Sequence, residues 1–421
     1  MIYAENVFVC IVAPLIVSIF FTKGSARRFC IFLTLGIFMS SYIIPASVTD
    51  MTQTFINCTK LTKAPAIPAG VKNMTLTFYG CTALAAGPSV IPASVTFMSY
   101  TFEGCRALTG TMQINASPAS PTFYSRCFTN ASTNAGTKLE VCAAGTNVDT
   151  VKSIVNTKTM GLQTGNSNIE YAVKTIGTWN IGGDGDTYYD GSNGTSSVVA
   201  TLNSEGVLAI TGTGNTVAFD HSNNKTQWAP WTDDTYKTQV VSSTIGASVT
   251  PTKMNAWYQE CINFTTAPTI PSSVVEMDKT FNGCTSLATA PNLAGCTSLK
   301  YMNNTFDSCT ALTAAPAIPV TVEEMDYTFF DCEVLVTGPS VIPASVTDML
   351  STFERCKALT GEMQINANPS SYYGCFSNAS TDSGTNLTVY GSTSAANGDK
   401  VQKIIVTPTS VYSNINYGGP K

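Results

Sequence analysis

One feature restricts the fold of this chain more than any other: a short sequence unit recurs eight times. Aligned on a methionine, the unit reads Ile-Pro-x-x-Val-x-x-Met-x-x-Thr-Phe-x-x-Cys-x-x-Leu. Successive methionines within a group lie 23 to 25 residues apart. A fixed period of this length is typical of stacked repeat proteins. One short coil cannot bury its own apolar side, so each unit must pack against its neighbours. The sequence therefore predicts a solenoid built from one short coil per unit.

The units fall into two groups, and a similar end-piece follows each group. "LTGTMQINASP" after the first group parallels "LTGEMQINANP" after the second, which indicates a partial tandem duplication. We expect the end-pieces to cap coil edges that would otherwise pair with other chains. The predicted segments are an apolar N-terminal helical segment (1–43), repeat array 1 with three units (44–130), a cap-like segment (131–171), a β-rich connector (172–244), repeat array 2 with five units (245–377) and a C-terminal cap-like segment (378–421).

The apolar positions of the unit are predicted to point inward and to stack on the same position one coil away. Burial of each large side chain contributes roughly 1.5–3 kcal/mol, and strand-like spacing is about 4.8 Å per coil. The predicted methionine positions are Met51, Met74, Met98, Met254, Met277, Met302, Met325 and Met349. The predicted phenylalanine positions are Phe55, Phe78, Phe102, Phe281, Phe306, Phe329 and Phe353. The predicted cysteine positions are Cys58, Cys81, Cys105, Cys261, Cys284, Cys309, Cys332 and Cys356.

The 14 cysteines permit more than one interpretation. Most recur singly at one phase of the unit, and none has another cysteine at the C-x-x-C spacing of zinc sites. Because a buried thiol behaves as a small apolar side chain, an interior thiol ladder is favoured. Disulfide bonds or a metal remain the alternatives.

The repeat resembles the BspA-type leucine-rich repeat family of bacterial surface proteins. "IPASVTDMTQTFINCTKLT" and "IPSSVVEMDKTFNGCTSLA" carry the pattern of that family, with Met where Ile is commoner and Thr-Phe where Ala-Phe is commoner. The resemblance covers about 200 residues in two arrays. It implies a β-rich, leucine-rich-repeat-like solenoid and a role in binding host proteins or other cells. The segment from 199 to 219, with strand-like alternation at Val207, Ala209 and Thr211, resembles the β lead-in that precedes such arrays.

The N-terminus contains two apolar runs, Val7 to Phe21 and Phe29 to Ile44, separated by Lys23, Arg27 and Arg28. Each run is slightly shorter than the roughly 20 residues that span a bilayer. One interpretation is a membrane hairpin whose basic turn stays in the cytoplasm. A second is a signal peptide, and a third is a buried pair of core helices. The first two place the repeats outside the cytoplasm, with residues 7–44 in contact with a membrane.

About 40 residues at this end also resemble the N-terminus of PrsW-type intramembrane metalloproteases. The catalytic part of that family has no counterpart, because the chain has one histidine, His221, and Glu323-Glu324 lies inside a repeat. We interpret the resemblance as a borrowed anchor and predict no enzymatic activity.

Few residues suggest chemistry, and no cofactor is predicted. His221 could act as a general base, but "FDHSNNKT" offers no recognisable nucleophile, so an exposed polar side chain is favoured. Asp184, Asp186 and Asp190 in "GGDGDTYYDGSNG" could bind Ca²⁺, but the run lacks the glutamate of an EF-hand, and a solvated loop is favoured. Short helical turns are predicted at 151–155 and 401–405.

Four tryptophans, Trp179, Trp228, Trp231 and Trp257, cluster around the connector and the start of the second array. They could form an aromatic platform for a glycan or peptide. The core of a small β domain together with a capping seam is the favoured interpretation.

Charge excludes one class of partner. Only 12% of residues are charged and the formal net charge is -5, whereas nucleic-acid binding needs clustered lysine and arginine. The predicted function is therefore binding to proteins or glycans on host or neighbouring cells, at the cell surface or in the extracellular space. The alternatives are a structural or spacer protein of an envelope or phage-derived particle, which would self-associate, and a membrane enzyme.

Overall fold

A computed structural model describes residues 43–143, 147–157, 168–220, 225–406 and 414–421. The chain divides into two compact units, residues 1–174 and 175–421. The N-terminal segment 1–43, with its PrsW resemblance and most of the proposed membrane contact at 7–44, lies outside the described residues except for its last positions. No helix among the described residues is long and apolar enough to cross a bilayer.

The first unit consists of stacked coils followed by a small parallel sheet. Its strands run in the order β1-β2-β3-β4, and every pair is parallel. Helix α1 precedes β4 and buries Val151, Ile154 and Val155. The elements are β1 (Val90–Ile91), β2 (Gly110–Ile114), β3 (Leu139–Ala143), α1 (Val148–Asn156) and β4 (Ile169–Tyr171), with a 3-10 turn at Pro121–Phe123.

The second unit begins with a β-meander, continues into coils and ends in a parallel sheet. β5, β6 and β7 pair antiparallel, and β7 pairs parallel with β8. The closing sheet has the order β12-β11-β10-β9, with α2 between β11 and β12. The elements are β5 (Thr175–Gly182), β6 (Thr195–Asn203), β7 (Val207–Gly212), β8 (Ser242–Ile245), β9 (Val341–Ile342), β10 (Gly361–Ile365), β11 (Leu387–Gly391), α2 (Ala395–Val406) and β12 (Ile415–Pro420), with 3-10 turns at Lys225–Gln227 and Pro230–Thr232.

The prediction of a β-rich repeat fold is confirmed, as are the strand at 207–211 and both predicted helical turns. In β7 the buried residues are Leu208 and Ile210, between Val207, Ala209 and Thr211, which are partly or fully exposed. Each of the two compact units, 1–174 and 175–421, closes with four parallel strands and one helix between the last two strands. The sequence similarity of the two end-pieces therefore has a structural counterpart.

Each coil turns around its methionine position in a segment that we call the Met turn, from one residue before that position to six residues after it. In this segment, the N–H groups at the methionine position and two, four and six residues later donate to the following coil. For Met302 these bonds run to the carbonyls of Glu324, Asp326, Thr328 and Phe330, at 2.8–3.0 Å. The same four-bond ladder joins every consecutive pair of Met turns from Met51 to Tyr124 and from Met254 to Tyr372.

The Met turn uses left-handed backbone at two fixed places, two and six residues after the methionine position. Glycine fills some of these places, such as Gly283 at φ +72°, but most hold other residues, such as Ser308 at φ +60°. Left-handed φ is uncommon outside glycine. Its recurrence therefore reflects the four-bond ladder, which holds each turn in one conformation.

The end-pieces contribute one further coil to each array. Phe128 stacks on Phe102 at 5.3 Å, and Phe376 stacks on Phe353 at 5.3 Å. In these last coils tyrosine replaces methionine, cysteine replaces threonine and alanine replaces cysteine, so the sequence unit is lost while the backbone ladder continues.

Candidate interaction surface

The predicted ladder residues lie in the interior of the coils. All of the methionine, phenylalanine and cysteine positions named above are buried, with at most 2% exposure. In the second unit, the rings of Phe281, Phe306, Phe329 and Phe353 form a continuous stack with centroids 5.4–5.5 Å apart and planes within 8° of parallel. The spacing is slightly larger than the strand-like 4.8 Å. The interior therefore leaves only the outward positions of each coil for contact with partners.

The threonine of each Thr-Phe pair has a role that the sequence pattern did not reveal. Thr305 is fully buried, and its Oγ1 lies 2.9 Å from the Met277 carbonyl and 2.7 Å from the Met302 carbonyl. Thr328 stands in the same relation to Met302 and Met325. A buried hydroxyl needs a hydrogen-bond partner, and these hydroxyls find theirs in two consecutive coils. The threonines thus join neighbouring coils from inside.

Apart from Cys58, which is disulfide-bonded, the repeat cysteines lie beside the phenylalanine stack as protonated thiols. The Cys309 Sγ donates to the Phe281 carbonyl at 3.1 Å, and Cys332 donates to Phe306 in the same way. Burial raises the pKa of the Cys81 thiol to about 12 and raises the pKa of Cys309 well above its ordinary value. Because the thiolate is the reactive form, these side chains act as packing groups. The free thiols are Cys81, Cys105, Cys127, Cys142, Cys261, Cys284, Cys296, Cys309, Cys332, Cys356 and Cys375; Cys58 is disulfide-bonded.

The outward side of the second array carries a row of carboxylates, which we call the acidic row: Glu276, Asp278, Glu324, Asp326 and Asp348. These residues flank the methionines, one position before or after, and parallel bridges join the preceding positions from Lys253 through Glu276, Tyr301, Glu324 and Asp348 to Ser371. The side chains are partly exposed. They do not fill the core, so they are available for contacts outside the chain.

The positions just after the methionines form a second ladder beside these bridges. The Asp278 N–H donates to Asn255 Oδ1 at 3.0 Å, and the Asn303 N–H donates to Asp278 Oδ1 at 2.8 Å. The Asp326 N–H donates to Asn303 Oδ1 at 2.9 Å, and the Leu350 N–H donates to Asp326 Oδ1 at 2.6 Å. Each of these side chains is therefore held by a hydrogen bond from the coil that follows, and Asp278 and Asp326 are the members of the acidic row held in this way.

The carboxylates of the row crowd one another. Burial, followed by the charges of Glu276 and Glu324, raises the pKa of Asp278 to about 6, although the Asn303 N–H acts in the opposite direction. Burial and the neighbouring Asp348 and Glu324 also raise the pKa of Asp326. Within the described residues, Glu276 is the one member of the acidic row that has an ion-pair partner. Lys253 Nζ lies 3.5 Å from Glu276 Oε1.

The negative charge extends beyond this row. Residues 175–421 contain 10 lysines and arginines against 21 aspartates and glutamates, whereas residues 1–174 contain 12 against 6. In the first unit the corresponding outward row holds Asp50, Asn73, Phe97 and Phe123, and the last two rings lie 4.6 Å apart. The two arrays share one scaffold but present different chemistry to solvent.

The tryptophans pack in the body of the second unit. Trp231 and Trp257 are fully buried, with ring centroids 6.1 Å apart. Trp179 packs against Trp231 and Tyr236 at 5.9 and 5.2 Å. Trp228 is partly exposed under Lys225. The interpretation as a core and seam agrees with this arrangement better than an open aromatic platform does.

The three aspartates considered as calcium ligands each interact with different partners. Asp184 accepts the N–H groups of Asp186 and Thr187, which lowers its pKa to about 2, and Asp190 accepts those of Ser192 and Asn193. Asp186 pairs instead with Lys253 at 3.1 Å. Within the described residues no group of three or more His, Cys, Asp or Glu side chains is placed to hold a metal ion. His221 lies outside the described residues.

Comparison with known proteins finds no matching family model and no matching curated protein. Among solved structures, a leucine-rich repeat protein from T. pallidum is 17% identical, with 50% of this chain and 92% of that chain covered at a TM-score of 0.30. One from Bacteroides ovatus is 14% identical, with 88% and 87% covered at a TM-score of 0.22. A leucine rich cell surface protein from Faecalibacterium prausnitzii is 19% identical, with 74% and 81% covered at a TM-score of 0.22. Each of these three solved structures is described as a leucine-rich repeat or leucine rich protein.

Proposed function

We propose that this chain is a non-enzymatic surface protein that binds other proteins, on host or neighbouring cells, through the outward faces of its coils. The observation that carries the proposal is the rigid display of side chains that the core does not need. In the acidic row, each position after a methionine is fixed by a hydrogen bond from the next coil. A preorganised surface loses little conformational entropy when it binds.

The extent of the outward face supports the same function. The bridged row from Lys253 to Ser371 spans six successive coils. Solenoids use extended surfaces of this kind for binding, and a standard protein interface needs roughly 800 Å² per partner. Placement outside the cell is part of the proposal, and it is supported by the two apolar runs that precede the arrays.

A binding screen with the purified chain tests the proposal. Extracellular-matrix proteins, mucins and bacterial cells are probed at micromolar concentration, and we expect at least one saturable partner. Glu324→Lys combined with Asp348→Lys reverses two outward charges and is expected to weaken a partner that contacts the acidic row at least tenfold. Thr289→Lys combined with Thr313→Lys changes two exposed threonines on other coils of the second array and serves as the control. Absence of any partner, together with ordered self-association of the purified chain, would favour the structural or spacer alternative.

A further inference from the structure

The ladder beside the methionines alternates between amide and carboxylate: Asn255, Asp278, Asn303, Asp326. All four side chains perform the same structural task, because each Oδ1 accepts the N–H of the equivalent residue in the next coil at 2.6–3.0 Å. Asparagine is therefore sufficient for the fold at this position. The charges of Asp278 and Asp326 are not required by the hydrogen bond that holds them.

These two charges are also poorly compensated. Asp278 faces Glu276 and Glu324, with the charge of Lys279 acting in the opposite direction, and Asp326 faces Asp348 and Glu324. Among the described residues, no lysine or arginine nitrogen lies within ion-pair distance of Asp278, Glu324, Asp326 or Asp348. The amide groups of Asn255 and Asn303 are already used, since they donate to Glu276 and Glu324 at 2.9 and 3.0 Å.

We propose that Asp278 and Asp326 are a proton-responsive element, which stabilises the second array when mildly acidic surroundings protonate it. Partial burial removes water from both carboxyl groups, and the neighbouring carboxylates repel the ionised forms. Protonation removes this repulsion and leaves the accepting Oδ1 free to keep its hydrogen bond. The array therefore responds to pH without any change in its backbone ladder.

The direction of the effect follows from the pKa shifts. The pKa of Asp278 is about 6 in the folded chain, above the roughly 3.9 of an unfolded aspartate. A carboxyl whose pKa is raised on folding binds more protons in the folded state, so its stabilising contribution is complete below about pH 4 and is lost as the pH rises through about 6. The pKa of Asp326 is raised as well and acts in the same direction.

Thermal unfolding of the full chain between pH 4 and pH 7.5, followed by tryptophan fluorescence, tests this inference. All four tryptophans belong to residues 175–421, so their fluorescence reports on the unit that holds Asp278 and Asp326. The variant Asp278→Asn with Asp326→Asn is expected to raise the Tm at pH 7.5 by about 3 °C or more, and this advantage should shrink towards zero near pH 4.

The reverse substitution and a matched control complete the test. Asn303→Asp keeps the same acceptor atom but adds a carboxylate between the two aspartates, so it should lower the Tm at pH 7.5 and recover by pH 4. Asp382→Asn changes an exposed aspartate of the same unit and should have the same small effect at every pH. A lower Tm of the double asparagine variant at pH 7.5, or an offset that is unchanged at pH 4, would overturn the proposal.

Discussion

The phenylalanine stack offers the sharpest test of what holds the second array together. Phe306 is fully buried between Phe281 and Phe329, at 5.4 and 5.5 Å and nearly parallel to both. Phe306→Leu keeps most of the apolar volume and removes two ring pairs. Each pair contributes about 0.5–1.5 kcal/mol beyond its buried area, so we expect the free energy of unfolding to fall by about 1–3 kcal/mol.

Urea denaturation followed by tryptophan fluorescence measures this loss. A urea dependence of about 2–3 kcal/mol per molar converts it into a midpoint shift on the order of 1 M. Phe330→Leu is the control, because this ring, next to Phe329 in the sequence, is partly exposed and lies outside the stack. Its aromatic and cation contacts among the described residues are Tyr327, edge-on at 5.8 Å, and Arg355. A loss for Phe306→Leu no larger than that for Phe330→Leu would refute a stabilising role for the continuous stack.

Three further outcomes follow from the interior of the coils. Thr305→Val removes the hydroxyl shared by the Met277 and Met302 carbonyls and should lower the free energy of unfolding by about 1 kcal/mol in the same urea assay; an unchanged midpoint would contradict the bridging role. Gly283→Ala places a side chain at φ +72° and should lower the free energy of unfolding by about 1–2 kcal/mol. Gly295→Ala, whose added Cβ meets nothing within 4 Å, should leave the free energy of unfolding nearly unchanged. The buried free thiols should resist iodoacetamide at pH 8 in the native chain and react after denaturation, as mass spectrometry would show; rapid native labelling would contradict their raised pKa values.

The period of the sequence was sufficient to predict the stacked coils and their interior residues. Residues such as Met302, Phe306 and Cys309 repeat at one phase, and only stacking buries such a face. The last coil of each array was harder to recognise, because Tyr124 and Cys127 stand where methionine and threonine stand elsewhere. The backbone ladder tolerates these replacements, and it leaves no mark in the sequence.

The outward surface was less accessible to sequence reasoning. The bond from Asn303 to Asp278 joins residues 25 apart, and their proximity follows only from the exact register of the coils. Left-handed positions were also hidden, because residues such as Ser308 occupy them as well as glycine. The threonine beside each phenylalanine differs from the commoner alanine by a hydroxyl, and the sequence alone does not reveal that this hydroxyl joins two coils.

The orientation of the four-bond ladder gives each array a chemical polarity. Every Met turn offers its N–H groups forward and its carbonyls backward, so the two ends of a stack are different surfaces, one of donors and one of acceptors. In the first unit Thr157 meets the donor end, where its Oγ1 accepts the Phe128 N–H at 3.2 Å. An interior coil can therefore be gained or lost as a whole without altering either terminus, which is how three and five recognisable repeats can share one kind of ending.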